Sequence, residues 1–110
     1  MTMLRITFKE SIQSFKDRTD AMESVLLDMR EKKLFKKLAG WRNEHFNVKS
    51  KFSSPSLFTI ERSAASLFGF KQYGCHVNGY IKKDNTYMIW IAKRSKTKQT
   101  YPGMLDNFVR

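Results

Sequence analysis

Two runs rich in aromatic and β-branched residues, Tyr73 to Ile81 and Thr86 to Ala92, flank the polar stretch Lys82-Lys83-Asp84-Asn85. Residues of that kind favour a pleated strand, and the polar tetrapeptide suits a tight turn, so this region predicts a β-hairpin. A second signal lies upstream. Met22, Val25, Leu26 and Met29 recur at i, i+3, i+4 and i+7, with Asp28, Glu31 and Lys32 on other faces, which predicts an amphipathic helix over residues 20 to 32. Asp20 stands where a helix cap is needed, with Glu23 three residues on in the capping-box arrangement.

Between these signals the chain reads as short pieces. Leu34, Phe35 and Leu38 stand among Lys32, Lys33, Lys36 and Lys37, predicting a short second helix with a solvated lysine face and a left-handed cap at Gly40. Phe46 to Lys49 and Leu57 to Ile60 predict short strands around a loop at Ser53-Ser54-Pro55-Ser56. Ser63 to Phe68 suits one or two helical turns ending at Gly69. After the hairpin, Lys93 to Gln99 is polar, and Tyr101-Pro102-Gly103 carries a turn signal.

Composition narrows the function classes. With 110 residues, the chain fits one small folded domain, and 9 Phe, 2 Trp and 4 Tyr give it enough apolar area for a modest core. One cysteine, Cys75, excludes an internal disulfide, and with two histidines the ligand count for a structural zinc site also fails. A reducing compartment is expected. No apolar run approaches the ~18 residues of a membrane span, so no membrane association is expected. A cytoplasmic home is expected, although basic and hydroxyl residues near the start leave an organellar transit peptide open.

The formal net charge is +11, from 21 Lys plus Arg against 10 Asp plus Glu. Such a surface attracts phosphorylated small molecules, acidic partners and, nonspecifically, nucleic acid. Its excess leans toward the second half. Beyond Glu61 the only carboxylate side chains are Asp84 and Asp106, while Lys71, Lys82, Lys83, Lys93, Arg94, Lys96, Lys98 and Arg110 all fall there.

The densest cluster, Lys93-Arg94-Ser95-Lys96-Thr97-Lys98, directly follows Trp90-Ile91-Ala92. Cations interleaved with hydroxyls at a strand exit can hold phosphate oxygens, and the same pattern suits a solvated loop. Tyr80, Tyr87 and Trp90 nearby add a base-stacking surface for single-stranded nucleic acid as a further reading. His76 and Asn78 share one face of their strand and are candidate polar contacts to a ligand; the bland alternative is a hydrogen-bonded or exposed strand histidine. Cys75 points to the other face, so a Cys-His nucleophile pair is geometrically poor. Glu61 is expected to act structurally, accepting from helix amides. His45 has no partner set for catalysis, and neither a Gly-x-Ser-x-Gly elbow nor a glycine-rich phosphate loop is present.

Three stretches carry a resemblance: Glu61-Arg-Ser-Ala-Ala-Ser-Leu-Phe-Gly69, Tyr73-Gly-Cys-His-Val-Asn-Gly-Tyr80, and Trp90-Ile-Ala-Lys-Arg-Ser-Lys-Thr-Lys-Gln-Thr-Tyr-Pro-Gly-Met-Leu-Asp-Asn107. They resemble the thiamine pyrophosphokinase-related Nudix proteins, in which a leader domain precedes a Nudix hydrolase domain. The helix from Asp20 and the segment Phe35-Lys-Lys-Leu-Ala-Gly-Trp-Arg-Asn-Glu44 resemble that leader, so the likeness runs from about residue 18 to 109. It implies an α+β fold: residues 1–70 a small helical leader with short strands, and residues 71–110 a hairpin opening an incomplete Nudix-like α/β/α sandwich. It also implies a relation to enzymes that split diphosphate bonds, thiamine diphosphate analogues among their substrates, with Mg²⁺ or Mn²⁺ in complete members.

One departure matters. The Nudix box sets Arg-Glu-x-x-Glu-Glu-x-Gly on a loop and helix so that several carboxylates converge on metal and water. Here Arg30-Glu31 is followed by Lys32-Lys33-Leu34-Phe35, and the rest of the box is missing from the 110 residues. Where family members continue into Val-Ala-Gly-Gly, this sequence has Phe108-Val109-Arg110. The resemblance therefore implies a truncated product or short paralogue, inactive alone, with no metal or cofactor of its own. Carried over, it makes Arg94, Lys96 and Lys98 phosphate-side contacts and His76 and Asn78 contacts to the organic part. An unfinished sandwich would also leave an unpaired edge and a bare apolar face, so dye binding or self-association is expected. A small basic module for RNA or another polyanion is the alternative, and a leader that binds a protein partner through its first helix is a third.

Overall fold

The computed structural model describes residues 5–109. Packing of the chain divides it into two units, one running to Gln72 and one starting at Tyr73. The first combines helices with a short antiparallel strand pair, the described residues of the second form short antiparallel pairs alone, and the chain as a whole is α+β.

In the first unit, helix α1 spans Phe15–Glu31. It begins five residues before the expected Asp20, because Ser14 is the cap: its side chain accepts from the Asp17 amide at 3.0 Å. Asp20 instead sits within the helix and pairs with Lys16. The added turn is polar and does its work by hydrogen bonding. Arg18 Nε donates to the Leu57 carbonyl at 2.7 Å, and the Thr59 amide donates to Thr19 Oγ1 at 3.1 Å. Contacts of that kind leave no hydrophobic period to read. Of the expected apolar stripe, Leu26 is fully buried and Met22 and Met29 pack on the core, while Val25 is exposed. Beyond the helix Lys33 takes a φ of 54°, and the amides of Lys33 and Leu34 return to the carbonyls of Arg30 and Met29.

The expected second helix is a 3₁₀ turn, Lys36–Gly40. Gly40 ends it without the predicted left-handed cap, since the positive-φ glycines of the described chain are Gly69 and Gly103. The extended Trp41, with φ −55° and ψ 129°, makes the exit, and the Arg30 guanidinium lies 5.2 Å from its ring centroid. Lys37, expected only to face solvent, donates to Ser66 Oγ at 3.0 Å.

Strands β1 (His45–Val48) and β2 (Phe58–Glu61) pair antiparallel, with Phe46 opposite Ile60 and Val48 opposite Phe58. Each is shifted one residue from the expected span. A four-residue helix α2, Arg62–Ala65, follows β2 directly and continues in turns to Gly69, whose φ of 66° favours glycine there. Leu26, Leu38, Val48, Phe58, Ile60, Ala64 and Ala65 form the buried core. Phe8 and Phe70 meet the Phe58 ring edge-on, at 5.2 and 5.7 Å between centroids.

The second unit opens with the hairpin. Strands β3 (Tyr80–Lys83) and β4 (Thr86–Ile89) pair antiparallel around Asp84 and Asn85, both at positive φ (48° and 61°), which is the primed-turn geometry that matches strand twist. The regular pairing is shorter than the expected runs, because their outer ends find other partners. Val77 bridges Val109, and β5 (Ala92–Lys93) leaves the hairpin to pair with β6 (Leu105–Asp106), neither strand being expected from the sequence. Among the described residues of this unit none is buried, and Tyr80, Ile81, Tyr87, Met88, Ile89, Trp90 and Ile91 are all exposed.

Candidate functional site

The loop joining β5 to β6 carries the densest basic run, and Arg94 braces it. The Arg94 amide donates to the Met104 carbonyl at 2.8 Å, closing the base of the loop. Its guanidinium then spans the interior. Nη2 donates to the Thr100 carbonyl at 2.8 Å, Nε is shared between the Thr100 and Tyr101 carbonyls at 3.2 Å each, and Nη1 pairs with Asp106 Oδ2 at 2.6 Å. With side chains only 14% and 18% exposed, the Arg94–Asp106 pair is shielded from the screening that weakens surface ion pairs. Tyr101 and Gly103, with φ of 49° and 71°, bend the loop back toward β6 at the expected turn.

Arg94, which the sequence marked as a phosphate-side contact, thus has its nitrogens employed within the loop. The outer limb is different. Ser95 Oγ lies 2.8 Å from Thr97 Oγ1 and accepts from the Thr97 amide at 3.2 Å, forming a local hydroxyl turn. Lys96 and Lys98 flank Thr97, both exposed, and among the described residues neither has an ion-pair partner. Two mobile point charges on a braced loop can meet an anion without first breaking an internal pair.

His76 and Asn78 are brought together, and by a residue that sequence reasoning left out of the site. Asn107 Nδ2 donates to Asn78 Oδ1 at 2.7 Å, while Asn107 Oδ1 lies 3.1 Å from His76 Nδ1. The Asn107 amide donates to Asp106 Oδ1 at 2.9 Å, and Asp106 is the partner of Arg94. A continuous polar chain therefore runs from Thr100 through Arg94, Asp106 and Asn107 to His76 and Asn78. The readable signal was Asp106, one of two carboxylates in a stretch dominated by cations. Lys96 and Lys98 lie outside this chain of hydrogen bonds.

In the first unit, Glu61 is 2% exposed, and its Oε1 accepts from the Arg42 amide at 2.8 Å and the Ser63 amide at 3.3 Å. It caps α2 and ties down the exit from the 3₁₀ turn, the structural role its position suggested. His45 is directly across from it in the strand pair. Among the described residues no three His, Cys, Asp or Glu side chains converge as a metal site, and no helix is long and apolar enough to cross a membrane. Cys75 is exposed and unbridged.

The sequence is similar to those of a recognised group of proteins. Residues 1–72 match the family described as Domain of unknown function (DUF4743), and the chain belongs to that family. It is also similar to two proteins of Arabidopsis thaliana. It is 43% identical over 104 residues to "Nudix hydrolase 20, chloroplastic" and 41% identical over 104 residues to "Nudix hydrolase 24, chloroplastic", 94% of this chain being matched in each case. An uncharacterized protein of Saccharomyces cerevisiae is 33% identical over 99 residues, 88% of the chain. The chain spans 27% to 28% of the length of these relatives, so the matched region includes the second unit but little more than a quarter of each relative. At the level of sequence the chain is accordingly similar to proteins named Nudix hydrolases.

Proposed function

We propose that this chain is the N-terminal portion of a Nudix-type diphosphate hydrolase, acting on thiamine diphosphate or a related organic diphosphate, and that it supplies binding rather than hydrolysis. The observation that carries this reading is the identity of 41% and 43% to proteins named Nudix hydrolases across 94% of the chain. The β5–β6 loop supports it: Lys96 and Lys98 are the phosphate contacts, and Arg94 gives them a fixed frame. His76 and Asn78, tied together by Asn107, face the organic part. Residues 1–70 act as the leader and 71–110 as the opening of the Nudix domain.

Complete members of such a family draw on Mg²⁺ or Mn²⁺, which would neutralise the diphosphate and activate water. The described residues do not fit that role, because no three metal-ligating side chains converge. The proposal therefore gives this chain no metal-dependent step. The chloroplast location in the names of both plant relatives supports an organellar home over a cytoplasmic one.

The test is hydrolysis of thiamine diphosphate and nucleoside diphosphates by the purified chain with Mg²⁺ or Mn²⁺, alongside direct binding. Binding without turnover is expected. Turnover would show that the chain assembles a metal site, and absence of binding would remove the diphosphate reading. One observation favours the polyanion alternative: Tyr80, Tyr87 and Trp90 are exposed, and Lys82 Nζ lies 5.6 Å from the Tyr87 ring centroid. Bases stack on such rings, so RNA binding above the nonspecific attraction of the net charge, with affinity lost on Trp90→Ala, would select that reading instead.

A further inference from the structure

The side-chain amides around His76 define more than a contact. Asn107 Nδ2 is spent on Asn78 Oδ1 at 2.7 Å, so the atom that Asn107 turns to His76 Nδ1, 3.1 Å away, is its carbonyl oxygen. An amide oxygen only accepts, so the imidazole nitrogen facing it must carry the proton. In the neutral ring the other nitrogen then holds a lone pair. Asn107 is itself fixed through its backbone amide on Asp106 Oδ1, with Asp106 held by Arg94.

We propose that Asn107 is a positioning residue that holds His76 in the Nδ1–H tautomer, so that Nε2, on an exposed ring, accepts from an N–H or O–H donor on the organic half of a diphosphate ligand. The ligand half of this inference rests on the diphosphate reading above; the tautomer half does not. The polar chain through Asp106 and Arg94 makes the same assembly that braces the Lys96–Lys98 loop also set the acceptor. Inorganic pyrophosphate, which has no organic half, should therefore engage the loop and leave His76 alone.

The experiment is long-range ¹H–¹⁵N correlation spectroscopy on the 110-residue chain, at a pH where imidazole is neutral, with His45 as the internal reference. The wild type is expected to show Nδ1 protonated and Nε2 bare at His76. Asn107→Ala should abolish that preference, and Asn78→Ala, which frees the Asn107 amide to turn over, should weaken it. The second variant leaves Asn107 and its backbone bond in place, so it stays informative if the first disturbs the fold. A wild-type ring protonated on Nε2, or a preference untouched by both variants, overturns the positioning role.

Thiamine diphosphate and inorganic pyrophosphate are then added separately. The expected result is a shift of the His76 Nε2 signal with the first only, and roughly tenfold weaker binding of thiamine diphosphate by His76→Ala, the loss of about one hydrogen bond. If thiamine diphosphate moves the Lys96 and Lys98 amides while Nε2 stays still, the recognition role of His76 fails and the diphosphate reading survives. If neither compound moves the loop, the diphosphate reading fails and takes the ligand half with it, while the tautomer result stands on its own.

Discussion

The two units of this chain are held together by different physics. The first buries Leu26, Leu38, Val48, Phe58 and Ile60 between a helix, a strand pair and a short second helix, and Glu61, the one buried carboxylate among its described residues, accepts from two backbone amides through Oε1. In the second no described residue is buried, and its shape is defined by a two-residue turn, short ladders and the Arg94–Asp106 brace. Apolar burial scales with area removed from water, whereas a hydrogen bond contributes only a small net amount, so the first unit carries the stability and the second carries the accessible chemistry.

Breaking the core should give the largest effect. Ile60→Ala or Leu26→Ala removes a fully buried side chain and is expected to cost about 2–5 kcal/mol, read as a lower denaturation midpoint for the first unit. A small change there would mean that the core is looser than its burial implies. Next comes Arg94→Ala, which leaves Asp106 without its guanidinium in a half-buried site; about 1–3 kcal/mol is expected to be lost from the second unit. Hydrogen exchange should then accelerate at residue 94, whose amide bonds the Met104 carbonyl, and stay unchanged at Ile60, and equal acceleration in both places would show that the units do not act separately.

Glu61→Ala is expected to cost a similar or smaller amount, about 1–2 kcal/mol, by leaving the Arg42 and Ser63 amides without their acceptor. Glu61→Gln keeps an oxygen in that place and should recover most of it, as measured by urea denaturation. The smallest effect is a gain. Lys33 holds a φ of 54°, so Lys33→Gly should stabilise the first unit by about 0.5–1 kcal/mol, visible as a small rise in its melting temperature.

The same contrast governs what the sequence revealed. Where apolar spacing decides structure, as at Met22, Leu26 and Met29, the element was legible; where polar side chains decide it, the boundary was not. Ser14 starts α1 ahead of Asp20 because the added turn is anchored by Arg18 and Thr19 to backbone groups of the second strand, and such bonds leave no period. The turn at Asp84-Asn85 was readable from residue type, but β5 and β6 were not, since a two-residue pairing held by Arg94 and Asp106 has no strand pattern of its own. For the candidate site, position along the strand singled out His76 and Asn78, and their common partner Asn107 became visible only when the chain folded back to bring it alongside them.

The most direct measurement of the central claim is an amide chemical-shift map of the 110-residue chain titrated with inorganic pyrophosphate. Shifts concentrated between Lys93 and Asn107, with Lys36 and Lys37 unmoved, are what a braced basic loop in the second unit predicts. Shifts spread evenly over the lysines of both units, as net charge alone would produce, would contradict it.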